Sequence, residues 1–124
     1  LPDSMRAFYA ALEAVLGARG DADAPARIAA HVHARRKPLA FMTAAIERAG
    51  FCVEAVRESD FALRFASAAA MFAHPFVRVA FLGAWLSIVP EETRATVFRE
   101  VEARLAGEVA LEIPFACVTG RRAD

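Results

Sequence analysis

The chain has 124 residues, 15 Lys+Arg against 15 Asp+Glu, and 57% hydrophobic residues. This length suits one domain, and a chain of this size buries roughly two-thirds of its unfolded surface. The zero net charge argues against a nucleic-acid-binding protein, which normally carries a basic excess, and the high apolar fraction excludes a disordered chain.

Two helices are predicted before residue 38. Asp3 or Ser4 could cap the first helix, and Gly17 and Gly20 end it. Its apolar positions follow the spacing of one helical face: Met5, Phe8, Tyr9, Leu12, Val15 and Leu16. Pro25 stands near the start of a second helix that runs to about residue 36, where Lys37-Pro38 stops it.

A third helix and a strand follow. The helix begins at Leu39, and Gly50 stands where a left-handed C-terminal cap belongs. Residues 51–65 are rich in aromatic and β-branched side chains and partly alternate between apolar and polar, which predicts one strand, bent near residues 58–60.

The remaining elements are an apolar helical insertion, a helix and a last strand. Ser67 caps a helical turn that ends at His74, and Pro75 begins the next helix. Pro90 begins a helix that ends at Gly107. Residues 109–118 alternate as a strand, in which Pro114 requires an edge or a bulge because proline lacks a ladder donor.

These elements predict an α-rich α/β fold of about six helices and two long strands in a single domain, residues 1–124. We divide it into a helical segment (1–38), a helix and strand (39–65), the apolar insertion (66–89) and a helix with the final strand (90–124). Two strands are too few for an independent sheet of normal size. Because the chain also starts on Leu1 and enters a turn at once, we expect it to be a fragment of a longer protein.

From Leu39 onward the sequence resembles the C-terminal half of class I S-adenosylmethionine-dependent methyltransferases. The residues that carry the resemblance are the helix from Leu39 into Gly50-Phe51, the aromatic insertion 72–85 and the closing residues 111–117. The resemblance implies the C-terminal portion of a Rossmann-like fold: the last helix, the sixth strand and an antiparallel seventh strand that inserts beside the fifth. Residues 1–8 resemble the segment after the fifth strand, where family members insert a helical lid over the substrate.

The resemblance implies S-adenosylmethionine as the cofactor of the intact protein. The family binds it through a glycine-rich turn after the first strand, and Gly17-Ala18-Arg19-Gly20 does not fit that turn because no strand precedes it. We therefore assign no cofactor-binding residue in this chain and expect the chain alone to be inactive. The function predicted is the substrate-side fragment of a small-molecule methyltransferase.

Four residues are candidates for contact with the substrate: Tyr9 in the lid-like segment, and His74, Arg78 and Trp85 in the insertion. Each has a structural alternative. His74 could serve a turn, Arg78 could pair with an acid, and Trp85 could pack in an aromatic core or contact a second copy. The basic residues 35–37 are either a solvated helix end or a site for an acidic carrier or phosphate-bearing substrate.

No catalytic or metal-binding residue is assigned. His31 and His33 lie about 200° apart on their helix and cannot share a metal by themselves. Cys52 and Cys117 lack a nucleophile or metal-binding pattern, and we expect buried, reduced thiols in a cytoplasmic protein. Arg64 is expected to pair with an acid such as Asp60 or Glu100.

For partners, we expect a small-molecule substrate in the intact enzyme, and no nucleic acid or membrane. The longest apolar stretch is interrupted by His74, Pro75, Arg78 and Gly83, which argues against a membrane span. The isolated chain is expected to form a homo-oligomer, a dimer or larger, because its strand edges need completion. The alternative function is a stand-alone helical dimerisation or small apolar-ligand-binding module.

Overall fold

The computed structural model describes all 124 residues, which form three helices, a long strand, a series of shorter helices and turns, a further helix and a second long strand. In chain order these are α1 (Arg6–Ala18), α2 (Ala24–Arg35), α3 (Leu39–Arg48), β1 (Phe51–Phe65), α4 (Ala68–Ala73), α5 (Pro75–Val77), a π-helical turn (Arg78–Leu82), α6 (Gly83–Leu86), a 3₁₀ turn (Glu91–Thr93), α7 (Arg94–Arg104) and β2 (Val109–Arg122). The expected mixture of helices and two long antiparallel strands is confirmed.

The two strands form one long antiparallel ribbon. Phe51 pairs with Arg122 at the free tip and Phe65 pairs with Val109 at the base. The register is regular through residues 58–60, where the sequence predicts a bend, and its one shift lies between Val53 and Ala55. Glu54 is the extra residue of this bulge, so the chain absorbs the irregularity near the tip. The last strand also extends four residues beyond the predicted end at 118.

The N-terminal segment lies against β2 instead of capping α1 with a side chain. Met5 occupies the N-cap position with a left-handed φ of 61°, and no side chain caps the helix. Ser4 Oγ instead donates to the Leu1 carbonyl at 2.8 Å, and the Met5 N–H donates to the Glu112 carbonyl at 2.7 Å. The predicted cap at Asp3 or Ser4 is therefore wrong, because hydrogen bonds to the strand fix the start of this helix.

The same contacts define the outer edge of β2. The Leu1 nitrogen donates to the Pro114 carbonyl at 3.2 Å, so the carbonyls of Glu112 and Pro114 both point away from β1. Because N–H and C=O groups of one residue point to the same side in an antiparallel strand, the missing donor of Pro114 also faces outward. The proline therefore removes no bond from the β1–β2 ladder, as expected of an edge position.

The hydrophobic core lies where the helices cover the base of the ribbon. Helix α1 contacts α2, α7 and β2, and α4 contacts α7 and β1. Val109 and Leu111 of β2 are buried among the helices, whose largest fully buried side chains include Trp85 and Phe8. The rings of Phe8 and Trp85 stack with their centroids 3.8 Å apart. The face predicted for α1 is confirmed, since all six of its apolar residues are buried.

Helix α3 lies on the opposite face of the ribbon, near the tip. A Cβ atom on Gly120 would lie 3.4 Å from Ile46 Cγ2, which places α3 on the face shared by Gly120 and Val118. No residue of α3 or β1 is buried. The other face of the ribbon carries Phe61 and Phe115, which are 49% and 37% exposed.

Two further predictions about side chains of the ribbon are wrong. Cys52 and Cys117 are free and exposed, so the prediction of buried thiols is wrong. Both stand on the part of the ribbon that the helical core does not reach. Arg64 pairs with Glu108 at 3.5 Å rather than with Asp60 or Glu100, because Arg64 lies at the base of the ribbon beside the start of β2.

Candidate functional site

Tyr9 and Trp85, two of the four candidates, meet in one buried hydrogen-bonded group. The Tyr9 hydroxyl accepts from Trp85 Nε1 at 3.3 Å and from Arg36 Nη1 at 2.7 Å. The Arg36 guanidinium lies 5.3 Å from the Tyr9 ring centroid and also contacts Met5 Sδ at 3.4 Å. Trp85 has no exposed surface and Tyr9 is 7% exposed. The pair therefore holds α1, the residue after α2 and α6 together, while Arg36 connects it to the surface.

On the surface, Arg36 borders a groove between α3 and β2, which we call the basic groove. Its volume is about 420 Å³. The groove is lined by Leu1, Arg35, Arg36, Lys37, Leu39, Met42, Ile46, Phe115, Ala116 and Val118. Arg35, Arg36 and Lys37 form no salt bridge within the chain. The groove thus combines an apolar floor with three cations, and suits an occupant that is apolar in its body and anionic at one end.

The backbone of β2 continues this groove as a hydrogen-bonding edge. Residues Ala116 and Val118 share the outward orientation of Pro114, because alternate residues of a strand face the same edge. No backbone group of the chain bonds to them on that side. An extended segment laid along this edge would find unpaired donors and acceptors beside the apolar floor.

His31 lies beside Tyr9, near the cations Arg35 and Arg36, in a position that disfavours its charged form. Its ring centroid is 5.9 Å from that of Tyr9, and its buried Nε2 atom has no hydrogen-bond partner. Burial lowers the pKa of His31, and the nearby cations Arg35 and Arg36 lower it further. The imidazole is consequently neutral at pH 7.

No group of three or more metal-ligating side chains exists in the chain.

The other two candidates lie apart from Tyr9 and Trp85. His74 Nδ1 accepts from the Phe76 N–H at 3.2 Å and so caps α5. Arg78 begins the π-helical turn, is exposed and forms no salt bridge. Each borders its own shallow groove, and neither groove shares a residue with the basic groove. The four candidates therefore do not form one site.

A second groove, which we call the apolar groove, lies between the π-helical turn and α7. Its volume is about 470 Å³, and its apolar lining is Phe72, Leu82, Leu86, Ala95 and Phe98. Arg94 stands at its border, where its Nε donates to the carbonyls of Leu86 and Val89 at 2.8 and 2.9 Å and so closes the end of α6. Turns of the π-helical type are rare and frequently mark functional sites.

Sequence reasoning missed the two features that shape these grooves. The outward orientation of Ala116 and Val118 depends on which carbonyls the N-terminal segment binds, and no local pattern records that. The π-helical turn likewise has no distinct sequence pattern. The basic run 35–37 was visible in the sequence, and its position beside an apolar floor is what the structure adds.

No protein-family model, curated protein sequence or solved structure matches the chain. None of the helices combines the length and the apolar character that a bilayer crossing requires.

Proposed function

We propose that the chain is the C-terminal, substrate-side part of a small-molecule S-adenosylmethionine-dependent methyltransferase. In this proposal an N-terminal part binds the cofactor, and the two strands extend its Rossmann-like sheet. The observation that carries the proposal is the antiparallel course of residues 1–5 along the outer edge of β2 at Glu112 and Pro114.

The direction of this segment supports the proposal. Met5 lies at Glu112 and Leu1 lies at Pro114, so residue numbers rise in one segment as they fall in the other. A strand preceding Leu1 and continuing this course would pass Ala116 and Val118, whose outward backbone groups are unpaired. In the family that the sequence resembles, the fifth strand holds this place beside the antiparallel seventh strand. The apolar floor of the basic groove would then pack against that strand.

The chain's own residues supply shape rather than a nucleophile. Helices α1 and α2 would form the lid over the substrate, held in place by Arg36, Tyr9 and Trp85. A lid of this kind excludes water and positions the acceptor atom, and both effects accelerate the chemical step. The reaction proposed for the complete protein is methyl transfer to an oxygen, nitrogen or carbon nucleophile.

The residues present do not fit the cofactor itself. Gly17 and Gly20 lie at the end of α1, and neither follows a strand, so the turn that would hold S-adenosylmethionine is not in this chain. No step of the reaction is therefore assigned to these residues. We place the protein in the cytoplasm, because two exposed free thiols persist best in a reducing compartment.

Two measurements test the proposal. The gene should encode a strand followed by an acidic residue-x-Gly-x-Gly turn within roughly 150 residues before Leu1, about one domain length. Calorimetric titration with S-adenosylmethionine should give saturable binding for that longer protein and none for the 124-residue chain. A longer reading frame without such a turn, or saturable binding by the chain alone, would contradict the proposal.

The apolar groove favours a second candidate, a small apolar-ligand-binding module. Decanoate, whose chain is apolar, can serve as the probe. Phe72 lines the groove and its ring centroid lies 6.3 Å from that of Trp85, so a bound probe should change the tryptophan fluorescence. Leu82→Glu should abolish the change. Val79→Glu is the matched control, since Val79 is 89% exposed and lies outside the groove. An equal response from both variants would remove this candidate.

A further inference from the structure

The outer edge of β1 is the longest unpaired backbone edge in the molecule. In the ribbon, Asp60 pairs with Pro114 and Ala62 with Glu112. The backbone groups of Pro114 and Glu112 face away from β1, so these pairs are of the non-hydrogen-bonded kind, in which both residues point outward. The same alternation makes the following residues of β1 point outward: Val56, Glu58, Asp60, Ala62 and Arg64. None of their backbone groups has a partner outside the ribbon.

Such an edge is a template for another strand, and proteins that stay monomeric normally protect it. Here the ladder is regular from Ala55 to Phe65, and no helix or loop donates to it. Phe61 is 49% exposed, and its ring lies 6.0 Å from that of Phe115, which is 37% exposed. The edge therefore adjoins an aromatic surface that is open on the same stretch of ribbon.

Symmetry restricts how two copies of β1 can pair. Two antiparallel strands of one sheet are related by a two-fold axis perpendicular to the sheet, so directly opposed residues lie on the same face. Consequently the two residue numbers of any opposed pair must add to an even sum. Centring the axis on Arg57, Glu58 or Asp60 opposes a charge to itself, and centring it on Ser59 opposes Glu58 to Asp60.

Axes at Phe61, Ala62 and Leu63 have none of these conflicts, and the axis at Phe61 pairs the longest stretch of β1 because the strand ends at Phe65. This axis pairs residues 57–65 of the two copies and opposes Glu58 to Arg64 of the second copy, twice by symmetry. Both residues are outward-pointing, so their backbones would form a hydrogen-bonded pair. Both side chains are exposed, and the other contact of Arg64 is the 3.5 Å pair with Glu108.

We propose that the chain forms a two-fold homodimer by antiparallel pairing of β1 with β1 of a second copy, centred on Phe61. The two-stranded ribbons then join into one four-stranded sheet. The two Phe61 side chains meet at the axis, and each ring lies beside Phe115 of the same copy. This interface uses the β1 edge, whereas the proposed function requires the β2 edge, so the two proposals stand independently.

Charge reversal tests the proposal on the 124-residue chain. Sedimentation equilibrium of the wild type should show dimers at about 100 μM, where a complex with a dissociation constant near 10 μM is mostly assembled. Glu58→Arg or Arg64→Glu should each raise the dissociation constant roughly tenfold, because two attractive cross-strand pairs become repulsive. The double variant, Glu58→Arg with Arg64→Glu, should restore it.

Glu102→Arg is the matched control. Glu102 is an exposed acid without a salt bridge, and it lies on α7, which packs against α1 and α4 and is not part of the strand edge. It should leave the dissociation constant unchanged. Circular dichroism of each variant checks that it is folded, and the exposure of Glu58 and Arg64 means that the substitutions do not disturb the core. A monomeric wild type, or single variants that dimerise as the wild type does, would overturn the proposal. A double variant as weak as the singles would overturn the register.

Discussion

The helical core and the tip of the ribbon both carry large apolar side chains but differ in how far they bury them. The core contains stacked and edge-on contacts among Phe8, Phe72 and Trp85, with Trp85 fully buried. The tip consists of α3 and of the strand residues that do not pack on the core, 51–61 of β1 and 115–122 of β2. Not one residue of α3 is buried, and large apolar side chains such as Phe41 and Met42 are 49% and 44% exposed.

Both regions form regular helices and strands, but they differ in how much apolar surface they bury. Residues of α3 have good helical propensity and the ribbon saturates its inner hydrogen bonds, so local structure forms at the tip. Burial of apolar surface contributes most of the favourable free energy of folding, and the core obtains the larger share of it. The tip has apolar surface that is available for another chain segment on the β2 side and for a second copy on the β1 side.

Trp85→Ala should have the largest effect on stability. Removing a fully buried aromatic residue typically costs about 3–5 kcal/mol, because it combines lost transfer free energy with a cavity. Phe61→Ala at the tip is the comparison, and it should cost less than about 1 kcal/mol in the monomer. Urea unfolding followed by circular dichroism, at a concentration low enough to avoid association, measures both. Equal losses would show that the core and tip are not energetically distinct.

The same substitution at two methionines sharpens the contrast. Met71 has no exposed surface in the core, whereas Met42 is 44% exposed on α3. Met71→Ala should cost about 2–5 kcal/mol, and Met42→Ala should stay below about 1 kcal/mol. Because the chemical change is identical, the ratio of the two losses reports burial alone. In a longer protein whose added strand covers the basic groove, the cost of Met42→Ala should rise.

The sequence predicts the core region better than the tip, for a physical reason. The six apolar residues of α1 repeat at helical spacing, so their buried face follows from sequence alone. Pro25 and Ser67 likewise take their predicted roles at helix starts. Boundaries of this kind are set by neighbouring residues in the chain.

Long-range contacts account for the errors. The start of α1 depends on a bond from Met5 to Glu112, more than 100 residues away in the chain. The exposure of Cys52 and Cys117 depends on which part of the ribbon the helices cover. The grouping of Tyr9, Trp85 and Arg36, and the separation of His74, follow from how the helices pack. No local pattern encodes these outcomes.

Tyr9→Phe should produce an intermediate effect within the core. The substitution preserves the ring but removes the oxygen that accepts from Trp85 Nε1 and Arg36 Nη1. A buried donor left without a partner costs about 1–3 kcal/mol. Urea unfolding gives the loss, and red-edge tryptophan fluorescence reports whether Trp85 has lost its partner. If stability is unchanged, the hydroxyl does not hold the three elements together.

His31 should give the smallest effect, and its sign is fixed by the direction of its pKa shift. Burial and the cations Arg35 and Arg36 lower the pKa of His31 in the folded state, so near and below the ordinary value of about 6.5 the unfolded chain binds more protons. Stability should therefore rise with pH through this window and become independent of His31 above it. His31→Gln should remove this part of the pH dependence, measured as the difference in urea midpoint between about pH 5.5 and 7.5. Because His33 and His74 remain in the variant, an unchanged difference would assign the pH dependence to groups other than His31.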